Sequence, residues 1–475
     1  MGFVRVGGLP SGQVVVSAYG GDRDSRTVKI VIMEVKPFKA FRFNPEVVGD
    51  PGRCIAPPYD VIDADERDEL YKKSQYNVVR ITKGKTAPAD DEQHNQYTRA
   101  AEYLQKWISE GALKQDHEDT IYGYVQDFEL NGVAFQRLSF IALGKLEELG
   151  KTVRPHEQVF EKPMLDRLNL CRATRANFGL IFMLYEDPKS TADKVIEKAA
   201  KQQPLIDFAD DHGVRHRLFA VTADRDIEAI TKMMADKSCI IADGHHRYTT
   251  GLKYMQETGD PAAKHQMIAF TNTRQKGLVV LATHRIVGGL KDFQPAQFLM
   301  DLKNNGFTVS KFGSTPDAGP AARERAKQQM LRMLSDMRRL HDQGLTVFGI
   351  YMGADIFFVA VLEDKSRMAA IAPDKSEAWR SLDVSVLQKL VLERLLGLDE
   401  QKMGNPQYVD YVKDVPNAVN DLIAQVDAGR KQIAFFTNPV KMEQLAKVTE
   451  AGERMPHKTT YFFPKMYTGL TIQKL

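Results

Sequence analysis

The chain has 475 residues, of which 43% are hydrophobic and 27% are charged, the composition of a soluble globular protein with two or three domains. Its net charge of +3 is too small to indicate nucleic acid or an anionic membrane as a partner, and no apolar run approaches the roughly 20 residues that span a bilayer. The three cysteines lie far apart, which excludes a CxxC metal site and fits a reducing cytoplasm.

Residues 1–32 differ from the rest of the chain. They are rich in Gly, Ser and Val and lack the basic and apolar regions of a signal peptide. Such a composition cannot bury enough apolar area to offset the ordering of the chain, so we expect a disordered extension or a misassigned start. We expect a mixed α/β domain over residues 33–290 and a second α/β domain over residues 291–475.

Strands and helices alternate along the first of these domains. The apolar run YNVVRIT at 76–82 predicts a strand, and residues 92–110 predict an amphipathic helix. Asn131-Gly132 predicts the turn of a hairpin. Residues 153–177, which are broken by prolines and dense in charge, predict a loop.

The second domain begins with a long amphipathic helix predicted over residues 319–342. Because its Met and Leu residues recur at helical spacing, its basic residues indicate a packing helix rather than a nucleic-acid binder. A hairpin is predicted across residues 353–355, and another helix over residues 381–398.

The stretch IIADGHHRYTTG at 240–251 predicts a strand, a tight turn and the start of a helix. Asp243 suits the N-cap, and Gly244 allows close approach of the backbone. The first helical N–H groups and the helix dipole attract an anion, above all a phosphate, and His245, His246 and Arg247 add donors. Adjacent histidines diverge too far to bind one metal ion together, so any metal ligands stay unknown. The alternative is a capped helix with surface histidines.

The segment Arg154-Pro155-His156-Glu157 supplies a second set of candidates in a loop rich in cations. Glu157 is a plausible general base, His156 a phosphate contact or an acid, and Arg154 a phosphate contact. An ion-paired surface loop is the alternative.

Three further segments add candidates. Pro57 and Pro58 fix the backbone before Tyr59 and present Asp60 rigidly, although a structural turn explains them equally well. The motifs THR at 283–285 and HKTT at 457–460 contain His284, Arg285 and Lys458 as possible phosphate contacts. The alternatives are a satisfied buried histidine and a solvated loop. The candidate catalytic residues are Asp60, His156, Glu157 and His246.

Eight segments in a fixed order resemble the prokaryotic family called domain of unknown function 1015. They are PFKAFRFNP, IAPPYDVI, VRPHEQVF, ANFGLIFMLYED, IADGHHRYTTGL, THRIV, LDVSVLQKLVLERLLG and MPHKTTYFFPKMYTGL. The resemblance runs from Met33 to Leu475, and the family name implies no activity.

The motif ADGHHRY is also similar to the Asp-Gly-His-His-Arg element of the ParB/sulfiredoxin-like superfamily, which includes free-serine kinases. This resemblance implies a ParB/sulfiredoxin-like fold for the first domain. It also implies that residues 243–247 grip nucleotide phosphates. The serine kinases use a glutamate base from an earlier segment, for which Glu157 is the preferred candidate. No helix-turn-helix block follows the motif, so DNA is not expected as a partner.

We therefore expect a cytoplasmic enzyme that acts on phosphate, a small-molecule phosphotransferase of serine-kinase type or a phosphatase acting on a substrate such as phosphoserine. Its cofactors would be Mg²⁺ and a nucleotide, ATP, ADP or CTP, and its substrate a phosphorylated small molecule or a hydroxy acid, with no membrane partner. The alternative is a nucleotide-binding regulator of ParB-like type in which no transfer follows binding. A site without a carboxylate near the phosphate would favour the regulator.

Overall fold

The computed structural model describes residues 6–8, 14–16, 33–313 and 320–475. Contacts divide the chain into two compact units. Of the described residues, the first unit contains 33–155, 159–278 and 464–475, and the second contains 156–158, 279–313 and 320–463. The last segment of the chain thus belongs to the first unit, and the boundary expected near residue 290 stays a prediction.

A mixed nine-stranded sheet forms the centre of the first unit. Its strands in spatial order are Ile206–Ala209, Arg215–Val221, Ile121–Leu130, Val133–Lys145, His265–Asn272, Ile181–Tyr185, Cys239–Asp243 and Val153–Arg154, and Val35–Lys36 pairs with Val133–Lys145 off this path. Two pairs are parallel, Ile181–Tyr185 with His265–Asn272 and Cys239–Asp243 with Val153–Arg154, and the others are antiparallel. The hairpin predicted at Asn131-Gly132 is confirmed, and both turn residues have positive φ.

Helices and short ladders complete the first unit. The α-helices are Pro45–Val48, Ala64–Lys73, Val79–Thr82, Gln96–Ser109, Glu161–Thr174, Thr191–Ala199, Asp224–Met234 and His245–Thr258. The 3-10 helices are Pro51–Arg53 and Pro261–Lys264. Phe41–Phe43 pairs with Leu113–Gln115, and Gln473–Lys474 pairs with Ala176–Asn177.

Two sequence predictions in this unit are wrong. The run 76–82 contains the short helix Val79–Thr82 and no strand, because the Asn77 side chain accepts from Val79 N–H and starts a helical turn. The segment 153–177 contains the helix Glu161–Thr174. Pro163 lies in the first turn of that helix, where its missing N–H breaks no helical bond.

The second unit is built on a six-stranded antiparallel sheet. Its strands in spatial order are Phe307–Phe312, Phe357–Leu362, Val347–Tyr351, Ile433–Phe436, Thr283–Val287 and Val409–Lys413, and Val279–Leu281 pairs separately with Tyr461–Phe463. Its helices are Pro295–Asn304, Pro320–Asp342, Ser366–Ile371, Glu377–Arg380, Asp383–Val386, Glu400–Met403, Ala418–Asp427, Met442–Glu450 and the π-helix Leu387–Leu395. Met330, Met333 and Met337 of the long helix lie in the apolar core, so its prediction as a packing helix is confirmed.

The expected class, a mixed α/β protein, is confirmed. Within the N-terminal segment, Val6–Gly8 and Val14–Val16 form a two-stranded antiparallel ladder. The other residues of 1–32, for which we expected disorder, lie outside the described residues. Among the helices of the described ranges, none combines the length and apolarity that a membrane span needs.

Candidate functional site

The motif ADGHHRY folds as the predicted strand, turn and helix. The strand Cys239–Asp243 ends at the carboxylate, Gly244 occupies the N-cap with φ of 93°, and the helix His245–Thr258, here called the motif helix, follows. The prediction that Asp243 is the N-cap is wrong. Asp243 is still a strand residue paired with Phe182, so its side chain does not cap the helix.

Gly244 is required at this turn for two reasons. Its φ of 93° lies in the left-handed region that side chains disfavour. A Cβ at this position would also lie 3.0 Å from Arg247 Nε and 3.1 Å from its Cζ, closer than ordinary packing allows. The absent side chain therefore lets the guanidinium of Arg247 lie against the turn.

Asp243 is the centre of a buried ion cluster. One carboxylate oxygen accepts from Lys465 Nζ at 2.5 Å, and the other accepts from Arg247 Nη2 at 2.5 Å. Burial favours the protonated carboxyl, but the charges of Lys465 and Arg247 outweigh it and hold the pKa of Asp243 well below its usual value. Arg247 also donates to the carbonyl oxygen of Leu180. Both bonds hold Arg247 within the unit, where it is only 8% exposed.

Buried polar residues of the sheet fix the segment that carries Lys465. Arg137 donates to the carbonyl oxygen of Pro464 and to Gln126 Oε1. Gln126 Nε2 in turn donates to the carbonyl oxygen of Lys465 at 3.0 Å. The last segment of the chain is thus bonded to the central sheet on both sides of the lysine that neutralises Asp243.

A cleft beside the motif helix brings together residues that are far apart in sequence. It is lined by Tyr59, Asp60, Lys83, Gln96, Tyr97, Lys162, Pro163, Leu165, Asp166, Asn169 and His246. The predicted candidates Asp60 and His246 therefore share one cleft. Asp60 is exposed, and its carboxylate makes no hydrogen bond within the part of the chain that the structure describes.

His246 has a defined protonation pattern in this cleft. Its Nε2 accepts from the backbone N–H of Phe160 at 3.0 Å, and the two rings stack with centroids 6.2 Å apart. An accepting Nε2 carries no proton, so the neutral ring is protonated at Nδ1, which is then a donor. His245, by contrast, is buried, and its charge lowers the pKa of Asp243 further.

Lys83 positions the loop that carries Asp60. Its ammonium donates to the carbonyl oxygens of Tyr59, at 2.8 Å, and of Ile62. Burial lowers the pKa of Lys83, while the nearby Asp60 carboxylate raises it. Asp166 is less available than Asp60, because its oxygens accept from Tyr97 and Arg167.

Tyr59 separates this cleft from a smaller cavity that Arg247 lines. The Arg167 guanidinium lies 4.0 Å above the Tyr59 ring. Burial raises the pKa of Tyr59 to about 12, so its hydroxyl stays protonated near neutral pH. The small cavity is lined by Tyr59, Thr82, Arg167, Leu170, Cys171, Ala176, Asn177, Phe178, Gly179, Arg247, Thr250, Gln266 and Thr468.

The segment 154–157 is divided between the two units. Arg154 ends a strand of the first unit and donates to Ser238 Oγ at 3.2 Å. In the second unit, His156 is fully buried and Nε2 lies 2.8 Å from Thr460 Oγ1, while the side chain of Glu157 is 33% exposed. The assignment of Glu157 as base and of His156 as acid stays a prediction.

The remaining candidates belong to the second unit. His284 is buried, its Nδ1 accepts from Thr437 N–H at 3.2 Å, and its Nε2 lies 3.4 Å from Asp414. Arg285 is buried and Lys458 is exposed. The sequence also leads us to predict that the segments 56–60, 153–157, 243–247 and 283–285 line one cleft, and this stays a prediction.

The described residues suit a phosphate-bound Mg²⁺ better than a metal held by protein alone. Within ranges 33–313 and 320–475 there is no group of three or more His, Cys, Asp or Glu side chains that could hold a metal ion. Mg²⁺ commonly keeps several waters and uses one or two carboxylates together with substrate phosphates. Asp60 is the carboxylate in the cleft that fits this pattern.

Lys83 is a cleft residue that no sequence pattern singled out. It lies in the segment RITKGK, which carries no motif, and it reaches Tyr59 only through the fold. The short helix Val79–Thr82, predicted as a strand, places it there. A correct helix assignment would have put Lys83 at a helix C-terminus, where a lysine commonly contacts carbonyl groups.

A protein-family model covers most of the chain. The model described as "Protein of unknown function (DUF1015)" matches residues 35–385, which is more than half of the chain. Among curated proteins, none matches this chain.

Three solved structures align with much of the chain at low similarity. A conserved hypothetical protein from Pyrococcus furiosus is 13% identical with a TM-score of 0.31, and the match covers 69% of this chain and 93% of that one. A free serine kinase in complex with AMP is 12% identical with a TM-score of 0.31, covering 71% and 91%. SbnI with a C-terminal truncation, from Staphylococcus aureus, is 10% identical with a TM-score of 0.31, covering 69% and 84%. Likenesses this low support no conclusion about ligand or reaction.

Proposed function

The chain belongs to the DUF1015 family, and we propose that its first unit is a phosphotransferase. It would bind a nucleotide phosphate in the cleft and move a phosphoryl group between the nucleotide and a small hydroxy acid. One observation carries this proposal: an exposed carboxylate without a hydrogen bond to the described residues, Asp60, shares the cleft with His246, Lys83 and Lys162.

The cations and the motif helix account for phosphate binding. No side chain caps the motif helix, so its first N–H groups and its dipole favour an anion beside His246. His246, which lines the cleft, would contact a phosphate oxygen, and the Lys83 and Lys162 ammonium groups would balance the charge of the phosphate. Phosphoryl transfer depends mainly on this positioning and charge stabilisation.

Asp60 supplies the group that a transferase needs and a binding protein does not. Its carboxylate would accept the proton of the acceptor hydroxyl or, when Mg²⁺ is bound, hold that ion against the phosphates. The magnesium ion would supply further neutralisation of phosphate charge. A regulator that only binds nucleotide needs no general base, so Asp60 in its role as proton acceptor favours the enzyme over that alternative. A phosphatase would use the same groups with water as the acceptor.

Arg247 and Asp243 would act by positioning in this scheme. Arg247 is bonded to Asp243 and to the carbonyl oxygen of Leu180, so it holds the turn before the motif helix. Arg247 would keep the first helical N–H groups directed at the phosphate without contacting the phosphate itself.

The decisive experiment is a phosphotransfer screen with ATP, ADP or CTP, small hydroxy acids, and Mg²⁺ present or absent. Asp60→Asn is expected to lower kcat by at least about 100-fold, the scale of a lost general base, with a small effect on nucleotide affinity. Asp65→Asn, an exposed carboxylate five residues later, is the matched control and should retain wild-type activity. Equal activity of both variants would contradict the role of Asp60, and wild-type protein that neither binds nor hydrolyses any of the nucleotides would refute the proposed function.

A further inference from the structure

Arg285 is a buried cation in the second unit with no acidic partner among the residues that the structure describes. Its side chain belongs to the strand Thr283–Val287 and is 3% exposed. The guanidinium donates to the carbonyl oxygen of Thr283, and to those of His457 and Lys458 at 3.5 Å each. Within the described ranges, no carboxylate lies in ion-pair distance of it.

Burial without a counter-charge destabilises the charged form of Arg285. It lowers the pKa of the guanidinium to about 10, and the neighbouring group that opposes this shift is Tyr411. Buried charges in proteins are ordinarily paired, because transfer of an isolated ion out of water is unfavourable. The three carbonyl oxygens solvate Arg285 but leave its positive charge unbalanced.

Lys458 adds a second positive charge to the same place. Its Nζ lies 4.7 Å from the centroid of the Tyr411 ring, and Arg285 Cζ lies 5.4 Å from that centroid. Lys458 is exposed and has φ of 51°, in the left-handed region that a lysine rarely adopts. The backbone of the 457–460 loop is therefore in a disfavoured conformation at Lys458. The Lys458 ammonium lies near the Tyr411 ring, which the Arg285 guanidinium also approaches.

The register of the sheet keeps the nearby acidic group away from this cluster. Arg285 lies directly opposite Tyr411 on the neighbouring strand. His284, the preceding residue, points to the other face, where Asp414 lies 3.4 Å from its Nε2. The face of the sheet that carries Arg285 thus has cations and a tyrosine, and the Asp414 carboxylate lies on the opposite face.

We propose that Arg285, Tyr411 and Lys458 form an oxyanion site in the second unit that binds a phosphate dianion, either inorganic phosphate or the phosphate of a monoester. The exposed ammonium of Lys458 and the hydroxyl of Tyr411, which has no hydrogen-bond partner among the described residues, contact the phosphate oxygens. Arg285, whose Cζ lies 5.4 Å from the ring centroid, supplies fixed positive charge. This site is independent of the cleft proposed in the first unit.

A purely structural role for Arg285 explains only part of this arrangement. Its bonds to the carbonyl oxygens of His457 and Lys458 tie the loop to the sheet. They do not explain why Lys458 takes a left-handed backbone, or why its ammonium lies over the ring that Arg285 already faces. A bound dianion accounts for the position of the ammonium, because it offsets the repulsion between the two cations.

The test is equilibrium dialysis of the full chain against inorganic phosphate and, separately, phenyl phosphate. All variants carry His246→Ala, which weakens binding in the first unit to the same extent in each of them, so a difference in Kd between variants reports on the second unit. Lys458→Gln is expected to raise the phosphate Kd about tenfold, the effect of one lost charge-assisted hydrogen bond. Lys458→Arg should restore most of the affinity. Lys365→Gln removes an equally exposed lysine of the same unit and is the matched control.

Each result has a defined meaning. Tighter binding of phenyl phosphate than of inorganic phosphate would support the site with a monoester as its ligand, and equal binding would support it with free phosphate. The proposal is overturned if Lys458→Gln and Lys365→Gln bind both probes with Kd values within twofold of each other. It is also overturned if the His246→Ala protein binds neither probe.

Discussion

Replacement of Asp243 by Asn should destabilise the first unit strongly although the two side chains have nearly the same shape. The neutral amide would leave the ammonium of Lys465 and the guanidinium of Arg247 buried without their shared counter-charge. Removing one partner of a buried ion pair costs about 3–5 kcal/mol, whereas a lost helix cap costs about 1 kcal/mol. Because two cations lose their partner, we expect a loss in the free energy of unfolding of about 3–5 kcal/mol.

The two tryptophans of the chain allow this loss to be assigned to the first unit. Trp107 is buried in the first unit and Trp379 in the second. In a Trp379→Phe background, the fluorescence of Trp107 reports unfolding of the first unit alone during urea denaturation. Asp211→Asn, which removes a carboxylate with an 82% exposed side chain, is the control and should change the free energy of unfolding by less than about 1 kcal/mol.

The effect of Asp243→Asn should also depend on pH. The folded pKa of Asp243 lies below its unfolded value, so its carboxylate contributes stability that is fully present above the unfolded pKa. That contribution is lost as the pH falls below about 4 and toward the folded pKa. The difference between wild type and variant should therefore be constant from about pH 5 to 8 and shrink in more acidic solution. A loss below about 1 kcal/mol at pH 7, or a difference that does not shrink in acid, would refute the ion-cluster reasoning.

Two further predictions concern the motif helix. Gly244→Ala should destabilise the first unit by about 1–3 kcal/mol in the same denaturation assay, because the new methyl group meets Arg247 at a positive φ. Gly259→Ala at the other end of the helix, where nothing lies within 4 Å, should cost only about 1 kcal/mol, and an equal effect of both would exclude the contact with Arg247 as the cause. His246→Ala should raise the nucleotide Kd about five- to tenfold in calorimetric titration through the loss of one donor. His94→Ala, which removes a side chain that is 77% exposed, should leave that Kd unchanged, and equal Kd values for both variants would remove His246 from the site.

Local pattern predicted the motif helix but not the role of its first residues. The apolar run before Asp243 and the Asp-Gly pair mark the end of a strand and a turn, and both are present. Which residue caps the helix depends on where the strand ends. The pairing of Asp243 with Phe182 extends the strand by one residue and moves the cap to Gly244. No spacing rule within the motif contains that information.

The partners of Asp243 and Asp60 come from distant parts of the chain. Lys465 lies 222 positions after Asp243, and the cleft of Asp60 is completed by His246. Such contacts depend on the topology of the sheet, which a single sequence does not determine. The local pattern around each residue indicated Asp60 and His246 as candidates, and the fold decided that they share a cleft.

Proline and charge misled the prediction for 153–177. The helix Glu161–Thr174 tolerates Pro163 because the residue lies in the first turn. Its buried positions are concentrated at Leu168, Leu170 and Cys171, so the polar first half gave no helical period. The prediction for the short run 76–82 failed for another reason. Five of its seven residues are buried, so the burial pattern has little of the alternation that separates a strand from a helix.

The return of residues 464–475 to the first unit has a consequence for synthesis of the chain on the ribosome. Lys465 reaches Asp243, and Gln473–Lys474 pairs with Ala176–Asn177, only after the whole second unit has been translated. At about 5–20 residues per second, the earlier part of the first unit waits for on the order of ten seconds or more with the Asp243 carboxylate and Arg247 lacking their third partner. The second unit has nearly all of its residues in one stretch, 279–463, so the first unit begins first and is completed last.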